Sequence, residues 1–181
     1  MKLKPRPPQR GAAVTVSKWR RRSGRALLLC AILHAATALA DETPAASWPQ
    51  VWLNPGIYSL HFDSSKDLRD NNIGIGAEVM LANDNVLMAG NFINSNSART
   101  HFAAYEWRPL HWQFHGTEVS AGIAVGAFDG YPNYHDGGWF VAPLPLLSIE
   151  GKRLGVNLGL IPTYKDRMDG ALAIQIKLRV W

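Results

Sequence analysis

The stretch ALAIQIKLRV (171–180) alternates without a break. In an extended chain Leu172, Ile174, Ile176, Leu178 and Val180 fall on one side, and Ala173, Gln175, Lys177 and Arg179 on the other. Successive side chains of a strand point to opposite faces, so this period of two specifies a strand with two unlike faces. The same period recurs in VSAGIAVGAF (119–128) and RLGVNLGL (153–160). Strands are also expected at GIYSLHFD (56–63), IGIGAEVML (73–81), NVLMAGNFIN (85–94), THFAAYEW (100–107) and GWFVAPLPLL (138–147). Turn-rich segments separate them, among them SSKDLRDNN, ANDN, NSNSA and DGYPNYHDGG. The expectation is an all-β fold of eight antiparallel strands, which closes most readily as a barrel.

The formal charge of +5 misleads. Residues 1–40 carry nine of the 19 Lys/Arg and none of the 14 Asp/Glu, so the rest of the chain has ten cations against fourteen acids. The basicity belongs to a leader, and no nucleic-acid partner is expected. KWRRRSGR (18–25) is a dense basic run, ALLLCAILHAATALA (26–40) is an apolar run of signal-peptide length, and Ala38-Leu39-Ala40 ends it in small-x-small fashion. Residues 1–40 therefore read as a signal peptide, 41–55 as an N-terminal periplasmic or interfacial segment, and 56–181 as the barrel. Within 41–55, SWPQVWL (47–53) reads as a short interfacial helix or a linker. Cys30, the only cysteine, lies in the leader, so neither a disulfide nor a thiolate site is expected in the exported chain.

Alternation leaves open which face is inside. A water-soluble barrel turns its apolar face inward; an outer-membrane barrel turns it to lipid and keeps a more polar lumen. Export, eight strands, absence of cysteine, and aromatics near strand ends (Tyr58, Trp107, Trp112, Trp139 and Trp181) favour a monomeric transmembrane barrel in a Gram-negative outer membrane. Trp181 is one residue out of phase with the apolar face of the last strand. Eight strands leave a lumen filled by side chains or by one small ligand, which disfavours a porin. Lys177, Arg179, Glu78 and Glu118 are expected to form an internal ion-pair network. In GIYSLHFD the alternation puts Ser59, His61 and Asp63 together opposite Tyr58, Leu60 and Phe62. This is either a catalytic set or the ordinary polar face of a lumen strand.

Several short segments, in order across about residues 48–181, resemble the lipid A palmitoyltransferases of Gram-negative outer membranes. They are the charged first loop with Asp63, Lys66, Asp67, Arg69, Asp70 and Asn71; Gly74 and Gly76; WRPL (107–110); APLPLL (142–147); and Gly155 to Ile161-Pro162. The prolines are the most specific part, because proline deletes ladder hydrogen bonds and is rare within sheets. The resemblance implies transfer of an acyl chain from a phospholipid to lipid A without a cofactor, the lipid passing through lateral gaps in the barrel wall. Pro143, Pro145 and Pro162 would mark one gap, and Pro55 a place near the first strand. It also implies a histidine on the first strand and an Asp-Ser pair at the end of the third. Phe92-Ile93-Asn94-Ser95 matches that pair with Asn94 in place of the aspartate; NSNS is also ordinary turn chemistry. Ser59 falls where the histidine should be, with His61 two residues on. Histidine is the usual base near neutrality, and a carboxylate such as Asp63 would orient it. The expected site is thus His61 and Ser95 with Asn94, Asp63 and Ser59. The alternatives are a non-catalytic structural barrel and a lipid A deacylase with Ser95 or Ser59 as nucleophile.

Overall fold

A computed structural model of the chain describes residues 48–164 and 168–181. Residues 1–40, expected to be a signal peptide, and residues 41–47 of the expected N-terminal segment lie outside them. The described residues form a closed antiparallel barrel of eight strands in sequential order. These are β1 (Gln50–His61), β2 (Asn71–Leu81), β3 (Asn85–Ile93), β4 (Arg99–Phe114), β5 (Thr117–Phe128), β6 (Phe140–Glu150), β7 (Leu154–Ile161) and β8 (Ala171–Arg179). The connections are short at one end (82–84, 115–116 and 151–153) and longer at the other (62–70, 94–98, 129–139 and 162–170).

β1 and β4 run furthest beyond the ranges their patterns foretold. β1 begins at Gln50, so residues 50–53 are strand, where a helix or a linker was expected. β4 continues through Pro109 to Phe114. A bulge after Trp107 absorbs the proline, shifting the register between Trp107↔Ile123 and Leu110↔Ala121. β1 holds a second bulge around Pro55. Its pairing with β2 jumps from Asn54↔Gly76 to Gly56↔Ile73. The bulge changes which residues face inward. Trp52 and Asn54 are buried before it, Ser59 after it. Gly56 is essential to this step: its φ is +121°, and a Cβ there would meet the backbone oxygen of Asn72 at 2.3 Å.

The barrel is turned inside out relative to a soluble protein. Arg108, Glu106, Glu78 and Lys177 are 0–1% exposed, whereas Ile75 is 63% and Leu178 47% exposed, with Leu53, Leu87, Ile123, Val125 and Ile176 similarly open. The buried charges gather near the short-turn end. Lys177 Nζ donates to Glu78 Oε2 at 2.6 Å and also to Glu150. Arg108 donates to Glu150 Oε1 at 2.8 Å, and its Nε lies 2.9 Å from Glu106 Oε2. The expected ion-pair network therefore exists around Lys177 and Glu78, but with Arg108, Glu106 and Glu150 as its other members. Arg179 instead lies over Trp52, and Glu118 bonds His111 near the β4–β5 turn. Above this plug the lumen is apolar. Phe92, Phe102, Phe128 and Phe140 form a chain of ring contacts with centroids 5.8–6.3 Å apart.

The wall is not continuous. β6 pairs with β5 along its whole length, from Glu118↔Glu150 to Phe128↔Phe140. Its pairing with β7 starts only at Leu146↔Gly159. Residues 140–145 therefore have no β7 partner, and Pro143 and Pro145, which have no N–H to give, lie in that stretch. Pro162 follows the end of β7. A second interruption lies between β1 and β8, where pairing stops at Leu53↔Leu178 and resumes at Tyr58↔Ile174 around Pro55.

Candidate functional site

Three strand ends at the long-loop rim bring the site together. His61 is the last residue of β1, Asp70 precedes β2, and Ser95 follows β3. β1 is tied to the first loop by Ser59 N–H donating to Asp70 O at 2.8 Å, and the loop to the β3 end by Arg69 N–H donating to Ser95 O at 3.0 Å. These bonds set the side chains in line. His61 Nδ1 lies 3.1 Å from Asp70 Oδ1, and His61 Nε2 lies 3.0 Å from Ser95 Oγ. A carboxylate only accepts, so Nδ1 carries the hydrogen and Nε2 offers its lone pair to the serine hydroxyl. The imidazole is 8% exposed and the Asp70 side chain 26%.

Serine, histidine and aspartate in this order form the arrangement that activates a hydroxyl for acyl transfer. The imidazole takes the serine proton, and the carboxylate fixes the ring and stabilises its charged form. Ser59 and Asn72 complete the surroundings. Asn72 Nδ2 donates to Ser59 Oγ at 2.8 Å and lies 3.4 Å from Ser95 Oγ. His61, Ser59, Asn72 and Ser95 line one small hollow of about 50 Å³. Tyr131, also in its wall, is half-buried, and the withdrawal of its hydroxyl from water pushes it up to about 12 and keeps it neutral.

The hollow joins two apolar ones. Ile57 and Phe92 line all three. One, of about 70 Å³, descends between Phe102, Phe128 and Leu146. The other, of about 270 Å³, is bounded by Pro143 and Leu144 on β6 and by Ile161 and Pro162 beyond the break, and so lies at the unpaired stretch of wall. Tyr134 edges onto Phe140 at 4.6 Å and faces Tyr164 at 6.3 Å beside it.

Of the expected residues, His61 and Ser95 meet directly and Ser59 stands one hydrogen bond away through Asn72. Asp63 does not join them. It points into the exposed first loop, where Ser65 donates to it through both backbone N–H and Oγ; these bonds lower its pKa. Asn94 does not orient the histidine either. Its Oδ1 accepts from the N–H groups of Asn96 and Ala98, and its Nδ2 donates to Thr100 Oγ1 and Gly130 O. It is buried and staples the turn that presents Ser95. Asp70 and Asn72 were missed as site residues. The available signal was position: Asp70 and Asn72 flank the start of β2, which pairs antiparallel with β1, so Asp70 falls beside Ser59 and Asn72 beside Ile57, next to the face that carries Ser59 and His61. Among the described residues no group of three His, Cys, Asp or Glu side chains is arranged to hold a metal ion. No protein-family model matches the chain, and no curated protein matches it. The family resemblance therefore stands on its short segments alone.

Proposed function

We propose that the chain is a Gram-negative outer-membrane enzyme that moves an acyl chain from a phospholipid to lipid A through Ser95, His61 and Asp70. The observation that carries this reading is the hydrogen-bonded Ser95–His61–Asp70 line opening onto an apolar hollow at a break in the barrel wall. A membrane setting is supported by the exposed aliphatic belt over a buried charged plug, a distribution that suits lipid outside the wall. The unequal loops support an orientation with the site at the outer rim.

In this mechanism Ser95 Oγ attacks the ester carbon of the donor lipid while its proton passes to His61 Nε2. The intermediate collapses, the lysolipid oxygen leaves with that proton, and Ser95 holds the acyl group. A lipid A hydroxyl then attacks the acyl-serine, again with His61 as base, and the proton returns to Ser95. Water in place of the hydroxyl would make the same site a deacylase. The test uses the purified chain folded in micelles with a phospholipid labelled in one acyl chain and lipid A. Labelled lipid A that disappears in His61→Ala supports transfer. Labelled free fatty acid without labelled lipid A overturns transfer in favour of hydrolysis, and unchanged lipids overturn both.

A further inference from the structure

Acyl transfer at a serine needs a donor for the negative charge that develops on the carbonyl oxygen. The residue after a nucleophilic serine can supply a backbone N–H for this, but here Asn96 N–H is spent on Asn94 Oδ1 at 2.9 Å. The neighbouring donors of the turn are spent too: Ala98 N–H on Asn94 Oδ1, Ser97 N–H on Asn94 O, and Asn94 N–H on Ala98 O. His61 is committed to the proton. Besides His61, the side chain that the described residues bring within reach of Ser95 Oγ is Asn72.

We propose that Asn72 is the oxyanion donor of this site and that Ser59 aims it. Asn72 is 2% exposed and lies inside the hollow shared with Ser95 and His61. One hydrogen of its Nδ2 is directed to Ser59 Oγ at 2.8 Å. The other side of the amide faces Ser95 Oγ at 3.4 Å, beyond the usual N–H···O range. The charge forms two bonds from Oγ, on the carbonyl oxygen of the substrate, so a donor set slightly back from the serine is spaced for the intermediate and not for the resting hydroxyl. Asn72 Oδ1 is buried with no hydrogen-bond partner among the described residues. The backbone at Asn72 is also held firmly, since Gly56 of the β1 bulge approaches it so closely that a Cβ would strike its carbonyl oxygen.

The electron count is simple. As Ser95 Oγ bonds to the ester carbon and its proton moves to His61, the carbonyl π pair shifts to oxygen, and Asn72 Nδ2–H hydrogen-bonds that oxyanion. When the pair returns, the bond to the lysolipid oxygen breaks, and His61 protonates the leaving group.

This inference rests on the acyl-transfer reading, and the experiment separates the two. In the purified full chain in micelles, a fluorophosphonate probe is first tested for His61-dependent labelling of Ser95. Labelling is expected; a wild type that neither labels at Ser95 nor turns over phospholipid overturns the acyl-transfer reading and this proposal with it. Given an active wild type, Asn72→Ala is expected to lower kcat about 100- to 1000-fold with KM nearly unchanged, and Ser59→Ala less. Asn72→Asp is isosteric and keeps the fold testable by heat-modifiable gel migration. An aspartate donates only when protonated, so its kcat relative to wild type is expected to rise as pH falls from about 8 to about 5. A folded Asn72→Asp with a ratio flat across that range, or a folded Asn72→Ala whose kcat stays within about threefold of wild type, overturns the assignment of Asn72.

Discussion

Replacing Asp70 with asparagine removes one charge while keeping the shape of the side chain. Asp70 Oδ1 lies 3.1 Å from His61 Nδ1. When His61 takes the serine proton, the two charges sit about 4 Å apart, which is worth about 4 kcal/mol at the effective dielectric of a site near a surface. Asp70 is about one quarter exposed, so the deep-interior limit does not apply. A loss of 4 kcal/mol of transition-state stabilisation is a fall in kcat of about 10³. The asparagine adds a second penalty when its amide donates to Nδ1, because Nε2 then carries the hydrogen and cannot accept from Ser95. The control is Asp63→Asn. Asp63 is held by Ser65 in the exposed loop and touches neither His61 nor Ser95, so its kcat should stay within about twofold of wild type, as for most surface changes. The assay is initial-rate acyl transfer from labelled phospholipid to lipid A in micelles, with folding checked by gel mobility. The reasoning is refuted if Asp63→Asn loses activity while Asp70→Asn keeps it.

Restoring two backbone N–H groups with Pro143→Ala and Pro145→Ala should let β6 pair further with β7, lowering transfer severalfold while leaving the fold at least as stable; equal rates would detach the break in the wall from lipid access. Lys177→Met leaves Glu78 and Glu150 buried with Arg108 as their remaining shared cation and should cost about 3–5 kcal/mol in urea unfolding of the micelle-bound chain, whereas a cost below about 1 kcal/mol would show the plug to be dispensable. Burial raises the Asp129 carboxyl, but hydrogen bonds from the His101 backbone and ring outweigh it and hold it below the usual carboxylate range. Its folded pKa is depressed, so its stabilisation of the 129–139 loop is present above about pH 4 and is lost as pH falls through the folded value. Asp129→Asn should flatten that acid limb in limited proteolysis of the loop, and an unchanged limb would refute the role.

The strands were legible because each carries its own period. ALAIQIKLRV needs no partner to declare two faces, and the shared face of Ser59 and His61 follows from GIYSLHFD alone. The boundaries that failed were those where a proline reads as a stop. Pro109 sits inside β4 and Pro55 inside β1, each tolerated by a bulge that only the pairing partner reveals. The site was half legible for a related reason. His61 could be named from its strand face and Ser95 from the family resemblance, but the carboxylate partner depends on which end of a nine-residue loop folds back. Asp63 is nearer in sequence and lies on the same strand phase, yet Ser65 captures it, while Asp70 is carried to His61 by the β1–β2 pairing. The charged plug shows the same limit. Lys177 and Glu78 stood out by phase, whereas Arg108 was hidden in the WRPL segment, and its partners lie on β2 and β6 as well as on β4 itself.

The most direct measurement is the mass spectrum of lipid A from cells that carry the gene, lack it, or carry Ser95→Ala with the barrel confirmed in the outer-membrane fraction. The expected result is a lipid A species heavier by one acyl chain that is present with the intact gene and absent in the other two. Identical lipid A in all three, or a lighter species that appears only with the intact gene, would contradict acyl transfer to lipid A.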